Sequence, residues 1–236
     1  MPGRRVRVTV CIPTLNEEHG IGPTLDSLDR AAFQARGWDL ELLVVDGDSH
    51  DGTRAAAEAR GARVVVEKAR GYGRAYKTGF SQAKGDVIVT GDADGTYPFE
   101  RAHEFVGMLL AEELDFMTCD RYGHLAPGAM SGKHRLGNWV LSTATRLLFW
   151  VRLRDSQSGM WVIRREALEN LPVNDLPDGM AFSQELKIEA LKRKEIRAAE
   201  VPAALRPRIG EAVIDSWRDG LGNLWALLRK RLTTRW

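Results

Sequence analysis

Cysteine is scarce in this chain of 236 residues. Cys11 and Cys119 are the only two, each stands in an apolar run typical of a strand, and neither has a partner at C-x-x-C spacing. The sequence therefore indicates neither a disulfide framework nor a zinc site, and a reducing, cytoplasmic compartment is expected. The five histidines show no spacing typical of metal ligands or of a catalytic triad.

Long apolar runs and net charge are missing as well. No uncharged run approaches the roughly 18 residues of a membrane-spanning helix, and the first residues lead into a strand without an apolar signal region. We therefore expect a protein that is not integral to a membrane. The formal net charge of +2 is too small to indicate a nucleic-acid partner. The hydrophobic content of 44% suffices for one full core.

Strand and helix patterns alternate along the first half of the chain. Apolar β-branched runs predict strands, and apolar residues at helical spacing predict the helices between them. The predicted strands are 6–12, 40–45, 64–66, 87–90 and 116–119, and the predicted helices are 20–33, 54–60, 72–84 and 99–113. This order indicates an α/β fold with a Rossmann-like, mainly parallel sheet flanked by helices.

Three of these strands end in loops that carry acidic or amide side chains. The pairs are Asn16 and Glu17, Asp46 and Asp48, and Asp92 and Asp94. Ligands of such sheets bind beyond the carboxyl ends of the strands, so we expect the three loops to converge. Asp92 and Asp94, one residue apart in a glycine-bounded loop, are suited to holding Mg²⁺ or Mn²⁺ on a diphosphate. An isolated pair of this kind is more often an ordinary turn, and the convergence is what favours a site.

A glycine-rich turn follows the third predicted strand. Gly71 and Gly73 resemble the start of a dinucleotide-binding fingerprint, but the third glycine is missing and the position is wrong. A hydride-transfer enzyme is therefore not indicated. Arg74 stands at a predicted helix N-terminus, where it either meets an anion or is simply solvated.

The segment 121–154 is basic, with six Lys or Arg and no Asp or Glu. At helical spacing it places a stripe of Arg135, Trp139, Ser142 and Arg146 beside an apolar stripe of Leu136, Val140, Thr143, Leu147 and Trp150. Arginines suit a phosphate, and apolar side chains beside them suit a lipid tail. The alternative is an ordinary amphipathic helix whose apolar stripe packs on the sheet.

The C-terminal segment 213–236 is amphipathic and basic too, with Trp225 followed by Arg229, Lys230 and Arg231. It is suited to lying on an anionic membrane surface. It is equally suited to capping the fold with its basic end complementing the helix dipole.

Taken in order, these motifs resemble those of family 2 glycosyltransferases with the GT-A fold, and most closely the dolichol-phosphate or polyprenyl-phosphate mannose and glucose synthases. The matching segments are 12–17, 45–53, 92–98, 121–122, 134–138, 155–160, 179–182 with Glu185, and 201–202 leading to 208–211. The first motifs mark the whole superfamily, and the later ones point to the lipid-phosphate branch. The resemblance implies a single GT-A domain with a nucleotide-sugar-binding half, 1–120, and an acceptor-binding half with amphipathic helices, 121–236.

The resemblance also implies roles for residues. The donor side would be lined by Pro13, Thr14, Glu17, Asp46, Asp48, Asp92, Ala93, Asp94 and Arg208, joined by Arg74, with Mg²⁺ or Mn²⁺ on Asp92 and Asp94. The acceptor side would be lined by Arg121, Arg135, Trp139 and Ser158, and the catalytic roles fall to Asp94, Arg121, Arg135 and Glu185. The family pattern usually continues with Ser-Lys where this chain has Ala212 and Val213, so one cation expected near the diphosphate is absent.

The implied activity is inverting transfer of a hexose from GDP-mannose or UDP-glucose to a polyprenyl or dolichyl phosphate, at the cytoplasmic face of a membrane with which the chain makes peripheral contact. A phosphate acceptor is ionised near neutral pH and needs no strong base, whereas a hydroxyl would need one, for which Asp155 and Glu185 remain.

Three alternatives stay open. They are a family 2 enzyme with a soluble or natural-product acceptor, a nucleotidyltransferase, and a nucleotide-sugar-binding module without turnover. A nucleotidyltransferase would be expected to carry a glycine-rich basic loop where 13–17 stands.

Overall fold

A single seven-stranded sheet runs through the chain, in a computed structural model that describes residues 5–210 and 216–234. The strands lie in the order β3-β2-β1-β4-β6-β5-β7. They are β1 (Arg7–Thr14), β2 (Asp39–Asp46), β3 (Arg63–Val66), β4 (Val87–Thr90), β5 (Phe116–Leu125), β6 (Trp161–Arg164) and β7 (Ala198–Leu205). All pairs are parallel except those that β6 makes with β4 and β5. The predicted α/β fold with a mainly parallel sheet is confirmed.

Helices cover both faces of this sheet. They are α1 (Glu18–Asp26), α2 (Arg30–Ala35), α3 (Thr53–Glu58), α4 (Tyr72–Gln82), α5 (Ala102–Ala111), α6 (Gly132–Phe149), α7 (Arg165–Glu169), α8 (Ala181–Lys192) and α9 (Ser216–Thr233), with short 3-10 turns at Phe99–Arg101 and Val173–Asp175. None of the helices in the described part of the chain combines the length and hydropathy needed to cross a bilayer.

Two predicted boundaries were wrong. The helix expected over 20–33 is interrupted between α1 and α2, where the Asp29 side chain accepts a hydrogen bond from the Ala32 amide at 2.9 Å and so caps a new helix. The strand expected to end at residue 119 continues to Leu125, because it pairs with β7 beyond that point. The division expected at residue 120 falls inside this strand.

The reversed strand β6 determines which loops meet. Val89 of β4 lies opposite Val162 of β6, so the carboxyl end of β4 stands beside the start of β6. The loop 155–160 that leads into β6 therefore reaches the same sheet edge as the loop 91–96 that leaves β4. The residues of the second half come to the aspartate pair through this reversal.

The core has a layer on each side of the sheet and a smaller third cluster. Trp161, Tyr76 and Phe182 are fully buried in the layer under α4 and α8. The third cluster joins α6, α8 and α9 through buried side chains such as Leu141 and Leu227. The departure from the family pattern at Ala212 and Val213 lies outside the described residues. Glu211 and residues 235–236 lie outside them as well.

Candidate active site

The loops after β1 and β2 clasp each other around the buried carboxylate of Asp46. It accepts hydrogen bonds from the Ser49 amide at 2.9 Å and from the Thr14 hydroxyl at 3.3 Å. In return the Ser49 hydroxyl accepts from the Asn16 amide at 2.9 Å, and Asn16 adopts a left-handed φ of +54° there. The convergence predicted for these two loops is present.

A cation that sequence reasoning did not predict lies beside these two loops. The Arg54 guanidinium lies 3.5 Å from Asp46 and 4.0 Å from Asp48, which has a left-handed φ of +66°. Arg54 is the second residue of α3, so the turn 46–53 that holds the carboxylates also positions their counter-charge. Pro13 lies at the same edge, paired with Val45 across β1 and β2.

Arg208 links the loop after β1 to the loop after β4. Its Nη1 lies 2.8 Å from Asp94 Oδ2, and its Nη2 is bonded to the Glu17 carboxylate. The other oxygen of Asp94 accepts from the Thr96 hydroxyl at 2.6 Å and from the Thr96 amide at 3.1 Å. Three residues predicted to bind the donor, from distant parts of the sequence, are thus brought together.

Asp92 stands in an electrostatically unfavourable place. Burial, and after it the negative charge of Asp94, raises the pKa of Asp92 to about 7, although Arg121 and Arg208 act in the opposite direction. The residue between the two aspartates, Ala93, is buried, and its carbonyl accepts from the Thr24 hydroxyl at 3.0 Å. The hydrogen bond from Thr24 therefore anchors the loop between its two carboxylates.

The aspartate pair fits a divalent cation only in part. Within residues 5–210 and 216–234, no three His, Cys, Asp or Glu side chains form a self-contained metal site. Two neighbouring carboxylates, one with a raised pKa, have the hard oxygen ligands that Mg²⁺ and Mn²⁺ prefer, and such ions commonly take further ligands from substrate phosphates and water. The residues thus fit a cation that arrives with a diphosphate.

The loop 155–159 forms a wall beside Asp92. A Cβ added to Gly159 would lie 2.8 Å from Tyr72 Oη and 3.1 Å from Asp92 Oδ1, so only glycine fits there. The Gly159 amide donates to Tyr97 Oη at 2.6 Å, and the Gly159 carbonyl accepts from the Thr90 hydroxyl at 2.9 Å. These bonds hold the loop 155–159 directly against the predicted metal loop.

Arg121 and Asp155 form a buried, bidentate ion pair. Arg121 Nε and Nη2 lie 2.6 and 2.9 Å from the two Asp155 oxygens. Burial alone would raise the pKa of Asp155, but the charge and hydrogen bonds of Arg121 outweigh it and hold that pKa below its ordinary value. Arg121 was predicted to bind the acceptor phosphate directly. Its guanidinium is here engaged by Asp155.

Ser158 is fully buried in this loop, which leaves its side chain no access to an acceptor. Its carbonyl accepts from Trp161 Nε1 at 3.0 Å, Ser183 Oγ at 3.1 Å and Lys187 Nζ at 2.6 Å. The residue predicted to touch the acceptor therefore supports the loop through its backbone carbonyl. The three donors were missed because their spacing in the sequence carries no signal for this contact.

The apolar stripe of helix α6 faces solvent. Leu136, Val140, Leu147 and Trp150 are exposed, Trp150 to 86%. Ser142, on the predicted cationic stripe, is buried instead and accepts from the Ser156 amide at 3.0 Å. Arg135 and Trp139 are exposed on the first turns of the helix. The alternative of an ordinary amphipathic helix, whose apolar stripe packs on the sheet, was wrong.

Two further predicted residues are already engaged in ion pairs. Glu185 lies 3.2 Å from Lys230 of α9, and Arg74 lies 3.1 Å from Glu67. Burial raises the pKa of Glu185, with Lys230 acting against it. Nothing in these contacts brings either residue to the aspartate pair.

A protein-family model described as "Glycosyl transferase family 2" matches residues 9–171. The low-salt glycan biosynthesis hexosyltransferase Agl6 of Haloferax volcanii is 34% identical over 215 residues, which cover 90% of this chain and 51% of that protein, so the chain spans about half the length of this relative. The dolichyl-phosphate hexose transferase of the same organism is 33% identical over 90% of this chain and 89% of its own length.

Solved structures agree on the fold. The glucosyl-3-phosphoglycerate synthase of Mycobacterium tuberculosis, in complex with Mg²⁺ and uridine-diphosphate, superposes with a TM-score of 0.75 at 26% identity, over 96% of this chain and 79% of that one.

Proposed function

The chain belongs to glycosyl transferase family 2, and from that premise we propose that it transfers a hexose, with inversion, from a nucleotide sugar to a polyprenyl phosphate at the cytoplasmic face of a membrane. GDP-mannose and UDP-glucose are the candidate donors. The reaction joins the sugar's anomeric carbon to a phosphate oxygen of the acceptor and releases the nucleoside diphosphate.

The observation that supports a phosphate acceptor is that both carboxylates available as a general base are engaged in ion pairs. Asp155 is held by Arg121 and Glu185 by Lys230, each in an ion pair with its cation. A hydroxyl acceptor needs a free base near its oxygen, whereas a phosphate monoester is already ionised near neutral pH. The engaged carboxylates therefore favour an acceptor that brings its own charge.

The outward apolar stripe of α6 supports a lipid on that phosphate. Leu136 and Val140 stand beside the exposed Arg135 on the same turns, and Leu147 and Trp150 continue the stripe. A prenyl chain needs an apolar surface next to a cation for its headgroup. In this proposal Arg135 contacts the phosphate, and Arg121 acts by holding Asp155 and its loop in place.

On the donor side, Asp46, Asp48 and Glu17 line the nucleoside pocket, and Arg208 meets the phosphates. Asp92 and Asp94 would hold Mg²⁺ or Mn²⁺, which supplies positive charge for the leaving diphosphate. Arg208 already lies against Asp94, so its guanidinium is within reach of anything bound to that carboxylate. Solved relatives of the same fold contain UDP with Mg²⁺ or Mn²⁺, which favours this use of the pair.

A small phosphorylated acceptor is the second candidate. The solved structures with similar folds belong to a glucosyl-3-phosphoglycerate synthase, whose name indicates a soluble acceptor. Such an acceptor would also bring its own ionised groups and would leave the stripe on α6 without a role.

The experiment measures transfer from radiolabelled GDP-mannose, UDP-glucose and UDP-N-acetylglucosamine, with Mg²⁺ or Mn²⁺, to a short-chain polyprenyl phosphate or to 3-phosphoglycerate. Asp94→Ala and Arg135→Ala are compared with the natural sequence, and Arg152→Ala, at an exposed arginine after α6, is the matched control. We expect labelled lipid that requires the metal, falls at least roughly 100-fold in Asp94→Ala and in Arg135→Ala, and persists in Arg152→Ala. Label in 3-phosphoglycerate but not in lipid would replace the lipid acceptor with the second candidate.

A further inference from the structure

The C-terminal helix α9 buries two polar side chains beside Leu227 and leaves an apolar stripe exposed. Asn223, Leu227 and Lys230 are buried against the domain. The opposite stripe is exposed and apolar, and it consists of Leu221, Trp225, Leu228 and Leu232. Among residues 220–234 there is no acidic side chain, and Arg229 and Arg231 flank the apolar stripe. An apolar stripe with basic flanks suits an anionic lipid surface.

The helix α6 extends this surface. It packs against α9 through the cluster that contains Leu141, Phe149 and Leu227, and its own exposed apolar side chains face outward as well. Lys133 and Arg135 add positive charge, and α6 contains no acidic residue. We call the exposed residues of the two helices the α6–α9 face. Among the described residues, nine exposed large apolar side chains lie on this face. Eight are on α6 or α9, and the ninth is Trp150, directly after α6.

The buried side of α9 is joined to the acceptor-side loop by a ring of amides. Gln157 Nε2 donates to Gln184 Oε1 at 2.9 Å, Gln184 Nε2 donates to the Asn223 carbonyl at 3.2 Å, and Asn223 Nδ2 donates to Gln157 Oε1 at 2.9 Å. The ring closes on itself and connects the loop before β6, α8 and α9. Gln184 is fully buried and Asn223 nearly so, so a lost partner would leave a buried polar group unsatisfied.

The other end of this connection is the predicted metal loop. Gln157 is two residues from Gly159, whose Cα fits between Tyr72 and the Asp92 carboxylate with no room for a Cβ. A displacement of α9 relative to α8 would therefore be passed through Gln157 to the wall beside Asp92. Small misplacements of a reacting group have large effects on rate.

We infer that Gln157, Gln184 and Asn223 are positioning residues that couple the seating of the α6–α9 face on an anionic bilayer to the placement of loop 155–159. This rests on the proposed function for its biological sense. In this proposal the ring acts through loop 155–159 and not by contact with the substrates. It makes the position of the acceptor-side loop depend on the surface under α9.

The test uses the full chain with vesicles of phosphatidylcholine alone or mixed with phosphatidylglycerol. Hydrogen exchange of segment 154–160 is measured with and without vesicles, alongside vesicle sedimentation. Asn223→Ala and Gln184→Met each open the ring, so the result does not depend on one variant folding. Trp225→Ala weakens the outer face, and Asn174→Ala, at an exposed asparagine, is the matched control.

We expect the natural chain to bind the anionic vesicles and exchange in 154–160 to slow several-fold on binding. The two ring variants should bind the same vesicles but lose this response, and their kcat should fall roughly tenfold while donor Kd stays unchanged. Trp225→Ala should reduce vesicle binding, and Asn174→Ala should behave as the natural chain does.

Absence of binding to anionic vesicles would overturn the inference, as would exchange in 154–160 that ignores bound vesicles or still responds in both ring variants. The vesicle-binding and hydrogen-exchange measurements contain no acceptor. Failure of the coupling with intact transfer to detergent-dispersed polyprenyl phosphate therefore leaves the proposed function standing. Intact coupling without transfer to that acceptor overturns the proposed acceptor alone.

Discussion

The guanidinium of Arg208 lies 2.8 Å from the carboxylate of Asp94, across 114 residues of sequence. The same guanidinium is bonded to Glu17. Burial raises the pKa of Glu17, while the charge of Arg208 opposes that rise, so one cation stabilises two crowded carboxylates. A divalent cation that binds Asp94 must compete with Arg208 for it.

Replacing this arginine should separate binding of the metal alone from binding of the metal with a nucleotide. In Arg208→Gln, Asp94 loses its counter-charge, so we expect Mn²⁺ alone to bind roughly 3- to 10-fold more tightly. The gain in Mn²⁺ affinity that UDP or GDP provides should shrink, since the phosphates lose a cation. Free Mn²⁺ is measured by electron paramagnetic resonance. Arg206→Gln, at an arginine paired with Glu100, is the control, and equal Mn²⁺ affinities in both variants would contradict the competition.

The Arg121–Asp155 pair should matter greatly for stability. Asp155→Asn leaves a buried guanidinium without its charged partner, which typically costs about 3–5 kcal/mol in the free energy of unfolding. The exposed pair of Asp26 and Arg60 offers a matched change, since Asp26→Asn should cost about 0–1 kcal/mol. Urea unfolding of both variants at neutral pH measures the difference. Equal losses would mean that the buried pair is not what holds loop 155–159.

The same pair predicts a dependence on pH. Because the folded pKa of Asp155 lies below its ordinary value, its contribution to stability is complete above the pKa of an unfolded aspartate and disappears as the pH falls through the folded pKa. Asp155→Asn should therefore lose less stability on acidification than the natural chain. Parallel slopes of unfolding free energy against pH would argue against the pair.

Lys187 predicts an effect at the other end of the pH scale. Burial lowers the pKa of Lys187 to about 7, with Asp155 opposing that change and Arg121 adding to it. The unfolded chain then binds more protons than the folded chain between about 7 and the ordinary lysine pKa of about 10.4, so stability rises with pH across this window. Below pH 7 the ammonium is charged in both states and the loss is constant. Nearby, Glu200 acts in the same direction as Asp155, and Cys119 also does so.

The measurement is a difference between two chains. Relative to Lys187→Met, the natural chain should gain stability as the pH is raised from 7 to 10, by at most about 5 kcal/mol. Guanidinium chloride unfolding at several pH values gives the difference, and Lys84→Met, at an exposed lysine, is the control. A difference that stays flat with pH would show that the Lys187 ammonium is charged throughout.

The two cysteines should be inert while the protein is folded. Both are buried, and burial, followed by the charge of Glu41, raises the pKa of Cys11 to about 12. Burial raises the pKa of Cys119 as well. Since the thiolate is the reactive form, Ellman's reagent at pH 8 should titrate no thiol in the native protein and two after unfolding. A thiol that reacts rapidly without denaturant would contradict this burial.

Much of the site formed by the loops after β1, β2 and β4 could be predicted because it depends on local signals. Strands β1, β2 and β4 are apolar runs, their loops contain turn-forming acids, and parallel topology brings those loops to one edge. The convergence of Asp46, Glu17 and Asp94 follows from this pattern alone. The break at Asp29 was missed because helical periodicity of apolar residues continued past a capping residue.

The part of the site around loop 155–159 depends on contacts that no periodicity encodes. Strand β6 is only four residues long, and its antiparallel pairing with β4 and β5 joins parts of the chain that are distant in sequence. The pairing of Arg121 with Asp155 and the burial of Ser158 follow from that reversal. The exposure of the apolar stripe on α9 was equally hidden, since the sequence pattern suited both a membrane surface and a capping helix.

The position of β6 also has a consequence for any attempt to divide this protein. The strand comes from the second half of the chain, yet it pairs with β4 from the first half on one side and with β5 on the other. A fragment that stops before β6 would expose the backbone N–H and C=O groups along β4, next to a hydrophobic face, and would be prone to self-association. During synthesis the same edge stays uncovered until residue 164 has emerged. The two halves are therefore expected to be soluble and to fold only when they are made together. A reporter split between them would depend on insertion of β6 rather than on docking of two folded parts.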